Sequence, residues 1–218
     1  MITSNIVVNY INHCGSDLSV VDAARVSFNK VSELVNGELS SGDARLINYL
    51  AKHKHTSPFN HCFLTVRVKA PIFVARQLVK HKFMPWNETS RRYVQDEPEF
   101  YFPDVWRGKA DNVKQGSSNE AVDVPVELYK YTVERSLENY QDALDAGCCA
   151  EQARMLLPQN TMTEWVWSGT LGAFCDMLKL RLDNHTQLET RIVAEKVSDI
   201  VKNCFPVSHK ALLESEES

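Results

Sequence analysis

The sequence predicts an α+β fold, read as a single domain over residues 1–218 with a mixed or antiparallel sheet flanked by long helices. Three observations predict it. "CFLTVRVKA" (Cys62–Ala70) and "TMTEWVWSGT" (Thr161–Thr170) alternate apolar and polar residues with the period of a half-buried strand. Several longer stretches carry apolar residues at helical spacing instead. Strand and helix signals also follow one another without the regular βαβ alternation of a doubly wound sheet.

Taken in order, Ile6–Ile11 reads as a short strand and Asp17–Phe28 as a helix with Asp17 as its cap. Ser41–His55 has a helical apolar face that starts near Ser41 or Asp43. His55–His61 breaks that helix, because the residue before Pro58 avoids the helical region. Beyond the strand at Cys62–Ala70, Pro71 opens a helix that runs to Lys82, and Pro85 ends it. Gln95–Pro125 is poor in periodicity and reads as a long excursion with a short strand at Glu99–Phe102. Pro125–Gly147 is a long amphipathic helix closed by Gly147. A further helix at Cys149–Leu157 stops at Pro158. The strand at Thr161–Thr170 precedes helices at Leu171–Leu182 and Thr186–Phe205, and residues 214–218 form an acidic tail.

A chain of 218 residues can bury a substantial core. No apolar run approaches the ~20 residues of a membrane span. The N-terminus lacks the basic start and apolar stretch of a secretion signal, so a cytoplasmic protein without a membrane partner is expected. Six cysteines show no C-x-x-C pair and no metal-like spacing; they read as small buried thiols, with no metal site. Net charge is −4, yet ten Lys or Arg and the single acid Glu88 lie between Ala44 and Val94. A basic segment in an acidic chain suits a local anionic ligand, or a solvated basic face, and not a general nucleic-acid coat.

That segment contains "VKHKFMPWNETSRRYV" (Val79–Val94). On a helix from Pro71, Gln77, Lys80 and His81 fall at i, i+3 and i+4 and share one face. Lys80 and Lys82 point to different sides and could grip two phosphates. In extended chain, Glu88, Ser90 and Arg92 would also share a side, which suits a polar ring bearing a phosphate. Taken singly, each is as easily a surface charge. Neither G-x-G-x-x-G nor a P-loop is present, and only eight glycines exist, so side chains must do most of any phosphate binding.

"KHKFMPWNETSRRY" resembles the signature of the flavin-dependent thymidylate synthase family: Arg-His-Arg, seven residues, then Ser. Here it runs Lys80-His81-Lys82 to Ser90, with Asn87-Glu88 and Arg92-Tyr93 in place. "DAARVSF" and "HTSPFNH" resemble the family's N-terminal blocks, and "ARMLLP" with "LRLDNHTQLETR" its C-terminal block, over roughly residues 22–191. The resemblance implies the family's fold and reductive methylation of dUMP to dTMP. Methylenetetrahydrofolate is the carbon donor, FAD the redox carrier and NADPH the reductant, in a homotetramer with shared active sites. By motif position, Ser57, Lys80, His81, Lys82, Glu88 and His185 would contact FAD. Gln77, Lys80, Glu88, Thr89, Ser90, Arg91, Arg92, Arg154 and Arg181 would hold dUMP. Arg181 would polarise the pyrimidine, stabilising charge that develops on the ring as an oxyanion hole does.

Several positions depart from the family pattern. Lys80 and Lys82 replace arginines and lose the bidentate fork. Pro85 stands where Ser is usual and Asn60 where Glu is common. Thr170, Gly172 and Asp176 replace residues that often contact FAD, and Asp176 would repel a pyrophosphate that it faced. Weaker or rearranged FAD binding is the expectation. Two alternatives remain: hydroxymethylation of a pyrimidine nucleotide with the same cofactors, and a catalytically silent nucleotide- or RNA-binding protein in which Phe83, Trp86 and Tyr93 interleave the basic run.

Overall fold

The computed structural model describes residues 1–94, 96–111 and 116–214, with residue 119 by its backbone alone. Strands β1 (Ile2–Thr3) and β2 (Val7–Cys14) precede helix α1 (Asp17–Arg25), which tightens into a 3₁₀ turn at Val26–Phe28. Helix α2 (Ser41–Lys52) and a 3₁₀ turn at Ser57–His61 lead to β3 (Phe63–Pro71), α3 (Ile72–Leu78) and β4 (Trp86–Glu88). The excursion holds β5 (Glu99–Phe100), β6 (Arg107–Lys109) and β7 (Ser117–Ala121). Helices α4 (Val126–Asp145) and α5 (Ala150–Ala153), strand β8 (Met162–Thr170), and helices α6 (Leu171–Arg181), α7 (Leu188–Cys204) and α8 (Pro206–Glu214) follow.

The α+β class is borne out. The main sheet has the order β2-β3-β8-β4 with every pair antiparallel. Beside it, β1 pairs with β5 in parallel, and β6 and β7 make an antiparallel hairpin. The spine is the ladder from Phe63 opposite Thr170 to Pro71 opposite Met162. Its alternation works as the sequence pattern demands: Leu64, Val66, Val68 and Ala70 of β3 share a buried face with Thr163, Trp165 and Trp167 of β8. Val20, Val21, Phe174, Leu178, Val193 and Val197 from the helices complete that core. Trp86 of β4 joins the same face and stacks on Trp165 at 4.3 Å between ring centroids.

Because β3 runs straight into α3 and β8 straight into α6, the two helices start at opposite ends of one antiparallel ladder. Helix α6 folds back over its own strand, with Phe174 edge-on to Trp167 at 5.3 Å. At the usual rise, α3 is ~10 Å long and α6 ~16 Å. Their sum is about the ~27 Å of the ladder between them. Their C-terminal ends therefore meet above the sheet.

Three local expectations are corrected. Ser16, in extended conformation, is the N-cap of α1, and its backbone N–H donates to Ser19 Oγ at 3.1 Å. Asp17 is buried and caps a different helix, accepting from the backbone N–H groups of Val207 and Ser208, each at 2.9 Å. That helix, α8, has Pro206 at its first position and was not anticipated. The helix after Pro71 ends at Leu78, short of Lys82; the His81 N–H bonds the Leu78 carbonyl, and Phe83 turns left-handed (φ 61°). This reversal lets β4 return as an edge strand beside β8. Extended structure after Pro85 stops at Glu88, and the Tyr93 N–H bonds Ser90 O in a turn, so Glu88, Ser90 and Arg92 do not share one side. The acidic tail beyond Glu214, Gln95 and residues 112–115 of the excursion lie outside the described residues.

Replacing Asp17 with Ala removes the cap that α8 depends on. Urea denaturation is expected to show a loss of about 1–2 kcal/mol, the usual worth of an N-cap.

Candidate active site

Arg181 closes the last turn of α6 where that helix meets the end of α3. Its Nε donates to His81 Nε2 at 3.0 Å, and Nη2 donates to the Gln77 carbonyl at 3.3 Å. Gln77 O is one of the carbonyls that the end of α3 leaves without a helical partner. The guanidinium thus sits against the partially negative ends of two helices, a favourable place for a cation. Burial, and then the neighbouring Arg181 charge, push the His81 imidazole down to about 4. At neutral pH the ring is uncharged. Since Nε2 accepts, the ring proton is assigned to Nδ1. Trp167 backs the ring at 6.5 Å between centroids.

A polar relay continues from this point. The Gln77 side-chain amide donates to Gln187 Oε1. Gln187 Nε2 donates to Glu189 Oε2 at 3.0 Å, and buried Glu189 pairs with Arg107 Nη2 at 2.9 Å. Arg107 Nε bonds Ser117 Oγ at 2.7 Å, which ties the β6–β7 hairpin to the end of α3. Beside the relay opens a cavity of about 900 Å³, lined by Arg76, Gln77, Lys80, Arg181, Asp183 and His185 among others. Asp183 accepts from the His185 backbone N–H at 2.7 Å and lies 2.9 Å from its ring. Those two bonds hold the Asp183 carboxyl below its ordinary value.

A second cavity, about 280 Å³, is lined by Lys69, Glu88, Thr89, Arg91, Arg154 and Thr163 among others. Glu88 faces into it with both oxygens held by neutral donors: Trp86 Nε1 at 3.0 Å and Thr163 Oγ1 at 2.7 Å. Arg91 reaches the Asp96 carbonyl. Ser90 and Arg92 bond each other at 3.2 Å, and Arg92 lies 3.6 Å from Glu151.

The expected residues therefore form two groups within the chain. Gln77, Lys80, Arg181 and His185 line the first cavity, with His81 bonded to Arg181 but not lining it, and Glu88, Thr89, Arg91 and Arg154 line the second. Ser90 and Arg92 stand beside the second without lining it, and Ser57 and Lys82 line neither. The separation follows from the turn at Phe83 and the edge strand β4, which carry Glu88 away from His81. The helical face expected for Lys80 and His81 does not exist, since both lie beyond α3; a turn presents them instead.

Sequence reasoning missed Gln187, Glu189, Trp86 and Thr163. The first two lie in the block "TQLETR", at the N-cap and in the first turn of α7, and that position was the available signal. The departures from the family pattern cohere locally. Thr170 Oγ1 donates to Asn60 Oδ1 at 2.8 Å, and a Cβ at Gly172 would lie 2.6 Å from that same oxygen. Asn60, Thr170, Gly172 and Asp176 together line a third cavity of about 330 Å³. Pro85 enters the edge strand β4: its carbonyl accepts from Ser168 N at 3.1 Å, and its missing N–H forgoes only the reciprocal bond, a loss that the start of an edge strand tolerates.

Comparison with known proteins gives a consistent picture. The family model "Thymidylate synthase complementing protein" matches residues 9–207. The chain is 38% identical over 213 residues to a flavin-dependent thymidylate synthase from Ehrlichia ruminantium, covering 95% of this chain and 70% of that one. It is 37% identical over 206 residues to one from Thermotoga neapolitana, covering 94% and 90%. Among solved structures it resembles the UMP/dUMP methylase PolB from Streptomyces cacaoi bound with 5-Br dUMP. That likeness has a TM-score of 0.83 and 33% identity, over 98% of this chain and 97% of the other.

His81 titrates near 6.5 when unfolded and about 4 when folded, so between those values the unfolded chain binds the extra proton. Stability is therefore expected to fall as pH drops from 6.5 toward 4. The His81→Gln variant should lose its share of that dependence, leaving the part from His209, whose value burial also lowers. Urea titrations at several pH values on both proteins check this.

Proposed function

The chain belongs to the thymidylate synthase complementing protein family of flavin-dependent thymidylate synthases, and from that premise we propose how its own residues methylate dUMP to dTMP. The observation that carries the proposal is Arg181, anchored on its Nε edge and at one Nη2 proton, on the wall of the largest of the cavities described above.

The residues suit FAD. Arg76, Lys80, Arg181 and His185 line the first cavity with Asp183 as the one acid among its described residues, a donor set that favours a diphosphate. FAD, when bound, carries the reducing equivalents that turn a transferred one-carbon unit into a methyl group. The chain's part is binding, orientation and charge. Lys80 and His185 hold the anionic cofactor from the turn after α3 and the loop before α7. Glu88, fixed by Trp86 and Thr163, accepts from a sugar or base donor of the nucleotide, while Arg91 and Arg154 face its phosphate. Arg181 stabilises the negative charge that grows on the pyrimidine as its C5 attacks the one-carbon unit. No thiol is needed. Against the expectation of six buried thiols, only Cys62 and Cys175 are buried, and burial pushes them to about 11 and about 12; Cys14 and Cys149 are exposed, and no cysteine is among the lining residues of either cavity.

Methylenetetrahydrofolate as carbon donor and NADPH as reductant complete the reading. A homotetramer with shared sites accounts for the split of the site residues between two cavities: one subunit's Glu88–Arg154 group would face another's Arg181 group. Exposed Leu128, Tyr131, Met155 and Leu156 on and after α4 supply apolar surface for such contacts. Ser57 and Lys82, which line neither cavity, would act across the same junction.

Incubating the protein with dUMP, methylenetetrahydrofolate, FAD and NADPH should yield dTMP by mass; a hydroxymethylated product, or none, contradicts the proposal. UMP offered in parallel tests the broader acceptance that the name of the Streptomyces cacaoi relative describes. Arg181→Ala should lower kcat about 10²–10³-fold, the scale of losing a donor to developing charge.

A further inference from the structure

We propose that His81 is the positioning residue of Arg181: it accepts the Nε proton as an uncharged partner, fixing the guanidinium while leaving its whole charge for the pyrimidine. This role rests on the function proposed above and replaces the cofactor contact expected for His81 from its motif position.

The geometry sets Arg181 apart from half-buried Arg25 and Arg107. Arg107 pairs with Glu189, and Arg25 with Asp43. Each of those charges is compensated by a carboxylate. Arg181 is held only by neutral acceptors: the His81 ring nitrogen and the Gln77 carbonyl. Among the described residues no carboxylate bonds or pairs with it, and none bonds its Nη1. An ion pair would also fix the side chain, but the carboxylate's negative charge would offset part of its positive field. An imidazole whose Nε2 accepts cannot carry a proton there, so it orients without neutralising. The ring is itself held. Trp167 backs it, and its backbone N–H bonds Leu78 O in the turn that ends α3. The Nε edge and one Nη2 proton are therefore occupied, and the Nη1 side of the fork is left for substrate.

Three substitutions in the full-length, FAD-loaded enzyme separate this role from packing and from flavin contact. In His81→Gln the amide oxygen can take the place of Nε2 without charge. In His81→Glu the acceptor is charged, and in His81→Ala it is absent. A preorganised donor that loses its anchor costs about 10²-fold in kcat, so Ala should fall by that much. Gln should stay within about tenfold of wild type, and Glu should fall at least as far as Ala despite making the stronger pair. Calorimetric dUMP affinity of the flavin-free proteins should change less than about fivefold, since the lost interaction acts in the transition state. Equal losses in Gln, Glu and Ala overturn the proposal. So does Ala activity restored by excess FAD, which would make His81 a flavin contact.

Nitrogen NMR of His81 supplies a readout independent of activity. A neutral ring with an accepting Nε2, perturbed on Arg181→Met, is expected; a ring indifferent to that change overturns the proposal. If wild-type protein forms no dTMP, the proposed function fails instead, and the NMR result decides the positioning claim alone.

Discussion

The antiparallel ladder between β3 and β8 is the constraint from which the rest follows. Each strand continues without a loop into a helix, and antiparallel pairing puts those helices at opposite ends. Their combined length is about that of the ladder they lie along. The two C-terminal ends therefore converge, and converging helix ends create a patch of partial negative charge and unpaired carbonyls. Arg181, in the last turn of α6, answers both with one guanidinium. A longer α3 would carry His81 past Arg181, so the turn at Phe83 is part of the same geometry.

The sheet also fixes the second cavity. Strand β4 is three residues long, and it places Trp86 and Glu88 on the face shared with Thr163 and Trp165. Trp86 serves twice: its ring stacks on Trp165, and its Nε1–H orients Glu88. Glu88 and Arg181 are thus both oriented by neutral partners, which leaves their charges for a ligand. Glu189 and Arg107 follow the opposite rule. They neutralise each other in a buried pair, and their work is to tie the excursion to the end of α3 through Gln187.

Much of this was legible in the sequence. Period two marked β3 and β8, helical spacing marked α2, α4, α6 and α7, and Pro71, Gly147 and Pro158 marked boundaries correctly. Motif resemblance pointed to Arg181, Gln77, Lys80 and His185, which do gather at one cavity. What sequence could not give was set by long-range contacts. Asp17 sits where a cap for α1 is expected, yet its partners lie some 190 positions away in α8. The extent of α3 depended on Phe83 adopting a left-handed backbone, which its residue type does not favour. Glu88 looked continuous with His81 in sequence, but an edge strand and a turn separate the two in space. The bond between His81 and Arg181 joins residues 100 positions apart, and no local pattern announces it.

The central claim is that Arg181 is presented to a pyrimidine nucleotide by two neutral acceptors at a helix junction. A crystal structure of the protein with FAD and dUMP tests it most directly. The account predicts Arg181 Nη1 within hydrogen-bond distance of the uracil ring, with Nε still on His81. A guanidinium turned from the base, or paired with a carboxylate, would contradict it.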